Sequence, residues 1–297
     1  MKKWQKNACD GTYKSLDVHF TNVCDNACTF CINNGSATIN DGKPDWRSMV
    51  KTILERRADF EDVLILGGEP CLFLDELMLF VTEIKKQTSL RIYCTSSVPK
   101  TCFDNKDKFY ALLEALDGLN ISAQHYLESK ADCIRQRKSQ YDRQSFYAEL
   151  PHKDKIRINL NLVKGFLDSK EEIIACLQHF DAMGFHEIRL TELQHAPKEY
   201  VSFEDMTGAR LQNPYSGGCQ TLINPLATLG VYTNAKIILK RSCFVCEPSR
   251  NANLRDFAKL AWKIITFPGR SFSGEYGILY EDGRTASNWL KGGEVND

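Results

Sequence analysis

The sequence predicts an α/β fold in which parallel strands alternate with helices. Six short apolar and β-branched runs have the length of buried strands, and longer helical patterns separate them. Repeated βα units imply parallel strands, right-handed crossovers and a sheet covered by helices. We therefore expect a partial (β/α)6 TIM-like barrel, although an open doubly wound sheet satisfies the same pattern.

The predicted strands follow one another at regular intervals. They are SLDVHF (15–20), DVLILGG (62–68), LRIYCTS (90–96), GLNISA (118–123), IRINLNLV (156–163) and HEIRLTEL (186–193). The predicted helices between them cover 45–60, 73–87, 107–117, two stretches within 126–150, and 170–184. Gly184 is a typical helix stop before the last of these strands. This order assigns residues 15–197 to one βα domain, with an N-terminal arm at 1–14.

The pattern changes after about residue 197, where Pro, Gly and Asn become frequent. A hairpin is predicted near 231–240, an amphipathic helix at 254–267, and a final hairpin that turns at Asp282-Gly283. We expect residues 198–297 to form a C-terminal hairpin and helix extension that packs against the βα domain.

Composition restricts the protein's partners and location. The 38 Lys and Arg residues balance 38 Asp and Glu residues, so no long nucleic-acid footprint is indicated. The N-terminus lacks the apolar stretch of a secretory signal, and no run reaches the length of a membrane span. We expect a cytosolic protein. Twelve cysteines in a chain of 297 residues favour metal-binding thiols over a secreted disulfide framework.

Three of these cysteines, Cys24, Cys28 and Cys31, lie within eight residues directly after the first predicted strand. Three thiols suit neither paired disulfides nor a tetrahedral zinc site, which usually has four ligands. A partial zinc site and free thiols remain alternatives for the motif alone. Its Cys-x3-Cys-x2-Cys spacing, with Gly-Gly-Glu-Pro at the end of the second strand, resembles the radical SAM superfamily. The resemblance implies a [4Fe–4S] cluster with three protein ligands and one open iron.

The resemblance also implies how S-adenosylmethionine (SAM) is held. In the family, the amino and carboxylate groups of SAM chelate the open iron. The backbone of Gly67 and Gly68 and the side chain of Glu69 would receive the methionine amino group, and Phe30 would lie near the adenine. Reduction of the cluster, with a flavodoxin or ferredoxin as electron donor, would cleave SAM. The products would be methionine and a 5′-deoxyadenosyl radical that abstracts a hydrogen atom from the substrate.

Polar residues at the ends of the later strands are further candidates for contacts with SAM or substrate. They are Ser96, Ser97, Ser122, Asn159, Asn161, Thr191, Glu192 and Gln194. Strand alternation places Asn159 and Asn161 on one face, where each needs a ligand or a structural hydrogen bond. His195 and Cys71 are the candidate catalytic residues. Cys71 would donate a hydrogen atom to a product radical, although a packing role is the simpler interpretation.

A second set of three cysteines, Cys219, Cys243 and Cys246, lies in the extension. Some radical SAM enzymes carry an auxiliary cluster in a short "twitch" extension built around a hairpin with a cysteine on each side. The resemblance implies a second [4Fe–4S] cluster here, although the spacing departs from the usual pattern. Zinc and free thiols are the alternatives. Cys9, another residue or a substrate atom would complete the ligand set.

These features predict a radical SAM enzyme. The short chain, with little sequence before Leu16 for a leader-binding domain, favours a small-molecule substrate such as a nucleotide, amino acid or sugar. Maturation of a ribosomal peptide is the alternative substrate class. A non-catalytic iron–sulfur or zinc redox sensor is the alternative of a different class.

Overall fold

The structure is a computed structural model that describes residues 15–31, 43–193, 196 and 198–207. It also describes the strands at 218–221, 236–241, 277–279 and 285–286. The structural statements that follow refer to these residues. None of the helices within them is both long enough and apolar enough to span a bilayer.

Ten strands of the described part form one sheet. They are β1 (Ser15–His19), β2 (Asp62–Leu66), β3 (Arg91–Ser96), β4 (Gly118–Ser122), β5 (Ile156–Leu162), β6 (Glu187–Glu192), β7 (Gly218–Thr221), β8 (Lys236–Arg241), β9 (Gly277–Leu279) and β10 (Thr285–Ala286). Their order is β10-β9-β1-β2-β3-β4-β5-β6-β8-β7. Strands β1 to β6 are adjacent and parallel. The partial TIM-like barrel and all six of its predicted strands are confirmed, and the sheet is open.

Helices connect the parallel strands. They are α1 (Trp46–Glu55), α2 (Leu74–Gln87), α3 (Lys100–Asp104), α4 (Lys106–Ala115), α5 (Glu128–Arg135), α6 (Arg143–Glu149), α7 (Lys170–Ala182) and α8 (Phe203–Thr207). The side chain of Ser169 accepts a hydrogen bond from the Glu172 backbone N–H and so caps α7. Gly184, at φ +85°, ends this helix as predicted. The sequence did not predict α3 and α8, because five residues are too few for a helical period.

The two faces of the sheet differ in polarity. The apolar face packs against the helices in one core cluster. Its buried members include Val18, Ile65, Ile121, Ile158 and Leu190 from the strands, and Leu77, Phe109 and Phe180 from the helices. On the opposite face, β4 to β6 carry Asn120, Ser122, Arg157, Asn159, Asn161, Glu187, Arg189 and Thr191, which we call the polar face. A sheet that only supported packing on both sides would be apolar on both, so the polar face indicates a ligand-facing wall.

Strands from residues 198–297 extend the same sheet at both edges. On one side, β8 is parallel to β6 and antiparallel to β7. On the other side, β9 is parallel to β1 and antiparallel to β10, which agrees with the hairpin predicted at Asp282-Gly283. The hairpin predicted at 231–240 is described only from Lys236, and this strand pairs with β7. The helix predicted at 254–267 and the arm at 1–14 lie outside the described residues.

Candidate active site

The segment 21–31, which we call the cysteine loop, leaves the carboxyl end of β1 and runs beside the end of β2. The Gly68 backbone N–H donates to the Thr21 carbonyl at 2.6 Å, and the Glu69 N–H donates to the Val23 carbonyl at 2.8 Å. Backbone pairing between these segments therefore continues past the strand ends. It places the three-cysteine motif directly beside the Gly-Gly-Glu-Pro turn, at the edge where βα folds carry their active sites.

Glycine is required at both positions of this turn. Gly67 has φ +128°, and a Cβ there would lie 2.6 Å from the Thr21 carbonyl oxygen. A Cβ at Gly68 would lie 2.2 Å from the Val23 carbonyl oxygen. Both distances are too short for non-bonded atoms. The sequence interpretation attributed these glycines to the approach of a ligand. The structure adds a second reason, which is the close approach of the cysteine loop's own backbone.

Glu69 is buried, with 2% of its surface exposed, and its carboxylate is held by β3. Oε1 accepts hydrogen bonds from the Ser96 hydroxyl at 2.6 Å and the Cys71 N–H at 3.1 Å. Oε2 accepts from the Ser97 N–H at 2.6 Å and the Ser97 hydroxyl at 2.7 Å. Burial raises the pKa of Glu69 to about 8, although the bonds from Ser96 and Ser97 act in the opposite direction.

A side-chain bridge links this carboxylate to the cysteine loop. Asn26 Nδ2 donates to the Ser97 hydroxyl oxygen at 2.9 Å, and the same hydroxyl donates to Glu69. Asn26, Ser97 and Glu69 thus join the cysteine loop to the segments that directly follow β3 and β2. Sequence reasoning did not single out Asn26, because an asparagine between cysteines has no signal that distinguishes it from an ordinary turn residue.

The three cysteines of the loop are accessible to a ligand. Cys24 is exposed, and Cys28 and Cys31 are partly exposed. Desolvation by the surrounding protein raises the pKa of Cys24 to about 12 and that of Cys28 to about 11. Ligation needs thiolates, so binding of iron would release their protons. Among the described residues no three His, Cys, Asp or Glu side chains are arranged to hold a single metal ion. A cubane places its ligands on different irons, so this arrangement is compatible with a cluster.

Arg135 is a site residue that sequence reasoning missed. Its side chain is 1% exposed and donates to the Ala123 carbonyl at 2.7 Å. Its backbone carbonyl accepts from the Ala27 N–H at 2.9 Å, which fixes the cysteine loop against the end of α5. Desolvation is the largest influence on the pKa of Cys28, and the guanidinium opposes it. A buried arginine in a helix with many charged residues looks in sequence like a surface residue, so no local signal identifies it.

Two buried residues adopt left-handed backbone conformations just beyond the ends of β3 and β4. Val98 has φ +55° and Gln124 has φ +70°. The His125 N–H donates to the Ala123 carbonyl at 2.9 Å, so Gln124 is the central residue of a γ-turn. A β-branched residue in this region is strained, and such strain concentrates at functional sites. The strain therefore marks the same edge of the sheet as the cysteine loop.

The other polar candidates have different surroundings. Asn161 Nδ2 donates to the Gln124 side-chain oxygen at 3.1 Å, so this candidate supports the γ-turn. Asn159, Ser122 and Thr191 are half-buried on the polar face. Glu192 lies on the opposite face, and its carboxylate accepts from the Phe203 N–H at 2.8 Å at the start of α8. This hydrogen bond gives Glu192 a structural role at the start of α8, and its expected contact with a ligand stays a prediction.

The remaining candidates lie in the core, in a small cluster or outside the described residues. Phe30 packs against a small apolar cluster that includes Ile134 and Leu193. Cys71 is fully buried beside the Cys94 and Cys102 thiols, which fits packing better than hydrogen-atom donation. The residues outside the described part are Gln194, His195, Cys243 and Cys246. Cys219 is described only as backbone on β7, opposite Lys240 of β8.

Comparison with protein families gives the strongest evidence of relationship. The family model of the Radical SAM superfamily matches residues 18–177, which include the cysteine loop and the Gly-Gly-Glu-Pro turn. The chain belongs to the radical SAM superfamily. It is therefore an enzyme, and the family implies a [4Fe–4S] cluster and SAM as its cofactors. Membership does not support the alternative of a non-catalytic redox sensor. No curated protein matches the sequence.

Solved structures support the same fold. Streptococcus suis SuiB bound to its precursor peptide SuiA superposes with a TM-score of 0.61 at 13% identity, over 93% of this chain and 59% of that chain. SuiB bound to S-adenosylmethionine gives a TM-score of 0.60 at 14% identity, over 93% and 60% of the two chains. The radical SAM enzyme described here thus spans about three fifths of the length of SuiB. At such low identity this likeness demonstrates the shared fold alone.

Proposed function

We propose that Cys24, Cys28 and Cys31 hold a [4Fe–4S] cluster whose open iron binds SAM beside Glu69. When bound, these cofactors supply the electron and the scissile sulfonium for formation of methionine and a 5′-deoxyadenosyl radical. The observation that carries the proposal is the pairing of Gly68 and Glu69 with the cysteine loop. This pairing places the three-cysteine motif and the Gly-Gly-Glu-Pro turn side by side at one edge of the sheet.

The chain's own residues would orient and electrostatically match the cofactors. The Glu69 carboxylate, fixed by Ser96 and Ser97, is the acceptor that suits the ammonium of SAM. An ammonium beside it would favour its ionised form and offset the effect of burial on its pKa. Arg135 places a fixed positive charge near Cys28, where thiolates and a cluster would add negative charge. Asn26 and Ala27 hold the loop in the conformation that presents the cysteines.

We propose a ribosomal peptide as the substrate, in preference to the small molecule expected from the chain length. The support is the likeness to SuiB, which is described in complex with its precursor peptide and matches 93% of this chain. The half-buried polar face is consistent with this choice, because peptide backbone needs both donors and acceptors along its binding wall.

A second [4Fe–4S] cluster at Cys219, Cys243 and Cys246 is part of the proposal. The antiparallel pairing of β7 with β8 sets Cys219 opposite Lys240, three residues before Cys243. The short separation of Lys240 and Cys243 along the chain supports the proposal that Cys219 and Cys243 share one cluster. We also propose a flavodoxin or ferredoxin as the electron donor, because reductive cleavage of SAM needs one low-potential electron.

The test is SAM cleavage by anaerobically reconstituted protein that is reduced with dithionite. We expect 5′-deoxyadenosine and methionine in equal amounts from the wild type and none from Cys28→Ala, with Cys133→Ala as a control thiol that is exposed outside the motif. Equal product from Cys28→Ala would refute the assignment. Substrate class is read from deuterium in 5′-deoxyadenosine, after incubation with peptide and small-molecule fractions of a deuterium-labelled extract. We expect label only from the peptide fraction.

A further inference from the structure

The polar face contains a guanidinium for which the described residues provide no carboxylate. Arg189, at the middle of β6, is half-buried, and its Nε atom is buried without a hydrogen-bond partner. The nearest acidic side chain in the strand register is Glu187, two residues earlier on the same face. Arg157 of β5 contacts the Oε1 atom of that carboxylate with its Nε and Nη2 atoms. Arg157 and Glu187 therefore pair with each other. Arg189 lies one residue pair closer to the carboxyl ends of the strands, on the same face.

Asn159 lies beside Arg189 on the neighbouring strand, and its side chain has an acceptor without a hydrogen-bond partner. The register of β5 and β6 pairs these two residues, and both lie on the polar face. Asn159 Oδ1 is buried and also lacks a hydrogen-bond partner. An unmet donor and an unmet acceptor thus lie on adjacent strands. The next pair toward the carboxyl ends of the strands is Asn161 and Thr191, and both are half-buried. The cysteine loop lies at this same end of the sheet.

Energetics favour a ligand at this position. A buried polar group without a partner destabilises the folded chain, and a charged group does so more strongly. Structures retain such groups where a ligand or an ordered water satisfies them. A guanidinium presents a planar fork that matches a carboxylate with two parallel hydrogen bonds. The amide of Asn159 adds one more donor and one acceptor beside that fork.

We propose that the Arg189 guanidinium binds an acidic side chain of the substrate, while the Asn159 Oδ1 atom accepts a hydrogen bond from an adjacent substrate N–H. The inference rests on the proposed function only in taking the polar face as the wall of the substrate pocket. It assigns a chemical class to the substrate residue that lies over β5 and β6. It also predicts that neutralising this carboxylate on the substrate weakens binding as much as loss of the guanidinium does.

The test measures binding of two small probes to holoenzyme that contains its cluster and SAM. The probes are N-acetyl-aspartyl amide and N-acetyl-asparaginyl amide, which differ in charge and hardly in shape. We expect the wild type to prefer the aspartyl probe about tenfold or more, the ratio expected for a charged hydrogen-bonded pair. Arg189→Gln should lose the preference, and Arg189→Lys should keep part of it. Arg137→Gln, which removes an exposed charge from the α5–α6 loop, should keep it fully.

Three results of the probe comparison would overturn the proposal. They are equal binding of both probes by the wild type, an unchanged preference in Arg189→Gln, or an equal loss of preference in Arg137→Gln. Weaker SAM binding by Arg189→Gln would also overturn it, because the guanidinium would then serve the carboxylate of SAM. The proposed function is measured separately, by dithionite-driven formation of 5′-deoxyadenosine. Failure of that reaction in wild-type protein that contains its cluster and binds SAM would refute the function without affecting the probe comparison.

Discussion

Replacement of Gly68 by alanine tests how the site is assembled, because the new methyl group has no room. Its Cβ would lie 2.2 Å from the Val23 carbonyl oxygen and 2.8 Å from the Asn22 carbonyl carbon. These are backbone atoms and cannot rotate away as a side chain would. The cysteine loop must therefore move away from the Gly-Gly-Glu-Pro turn, and the two backbone hydrogen bonds between them must lengthen or break.

The expected cost of Gly68→Ala follows from these contacts. Overpacking costs about 1–3 kcal/mol, and each lost hydrogen bond costs about 0.5–1.5 kcal/mol. The sum is about 2–6 kcal/mol, a large part of the stability of an ordinary domain. Gly184→Ala is the matched control, since Gly184 has φ +85° but its nearest neighbour is a flexible Lys153 atom 3.8 Å away. It should cost about 1–2 kcal/mol from backbone strain alone.

Two measurements check this prediction. Urea unfolding of the apoproteins gives the free energies, and iron per chain after anaerobic reconstitution reports on the cysteine loop. We expect Gly68→Ala to lose stability and iron, and Gly184→Ala to keep wild-type iron. Wild-type iron content and stability in Gly68→Ala would refute the reasoning that the two motifs support each other.

Four further predictions concern individual residues. Ser97→Ala breaks the bridge between Asn26 and Glu69 and should lower the free energy of unfolding by about 1–3 kcal/mol; the exposed Ser89→Ala should change it by less than about 0.5 kcal/mol. Burial lowers the pKa of His125 from 6.5 to about 4, so the folded state binds fewer protons there than the unfolded state. Wild-type stability should therefore fall, by at most about 1.4 kcal/mol per pH unit, as pH drops from 6.5 to 4. His125→Asn, which keeps an acceptor for the Leu127 N–H, should lack this contribution when urea unfolding is repeated across that range. Cys71→Ala should lower the free energy of unfolding by about 1–3 kcal/mol and leave the yield of 5′-deoxyadenosine unchanged. Loss of this product in a folded variant would indicate that the Cys71 thiol takes part in the reaction. Cys243→Ala should reduce iron from about eight to about four per chain, and an unchanged value would contradict the second cluster.

Local patterns in the sequence were sufficient to predict the parallel core. Each strand from β1 to β6 is a short apolar or alternating run, and the longer intervening helices have an amphipathic period, so both types were identified correctly except for the short α3. The Gly-Gly-Glu-Pro turn and the cysteine motif were also placed correctly, because both follow strands directly. The alternation of Asn159 and Asn161 correctly indicated a polar face, although Asn161 serves a structural bond.

Features that depend on distant contacts could not be predicted in this way. The pairing of β8 with β6, and of β9 with β1, joins segments that are far apart in the chain, and no local pattern records such pairing. Burial of Arg135 depends on the loop after β4, and the strain at Val98 depends on contacts with Tyr141. The role of Glu192 depends on α8, a helix too short to be recognised. In each case a tertiary contact, and not the residue's own sequence, decides the role.

The most direct test of the central claim is the electron paramagnetic resonance spectrum of the reduced, reconstituted protein with and without SAM. The account predicts a [4Fe–4S] signal whose shape changes on addition of SAM, because SAM binds the iron that Cys24, Cys28 and Cys31 leave open. The variant with all three of these cysteines replaced by alanine should lack the SAM-sensitive signal and keep at most a signal that SAM does not alter. A SAM-sensitive signal in that triple variant, or its absence from the wild type, would contradict the account.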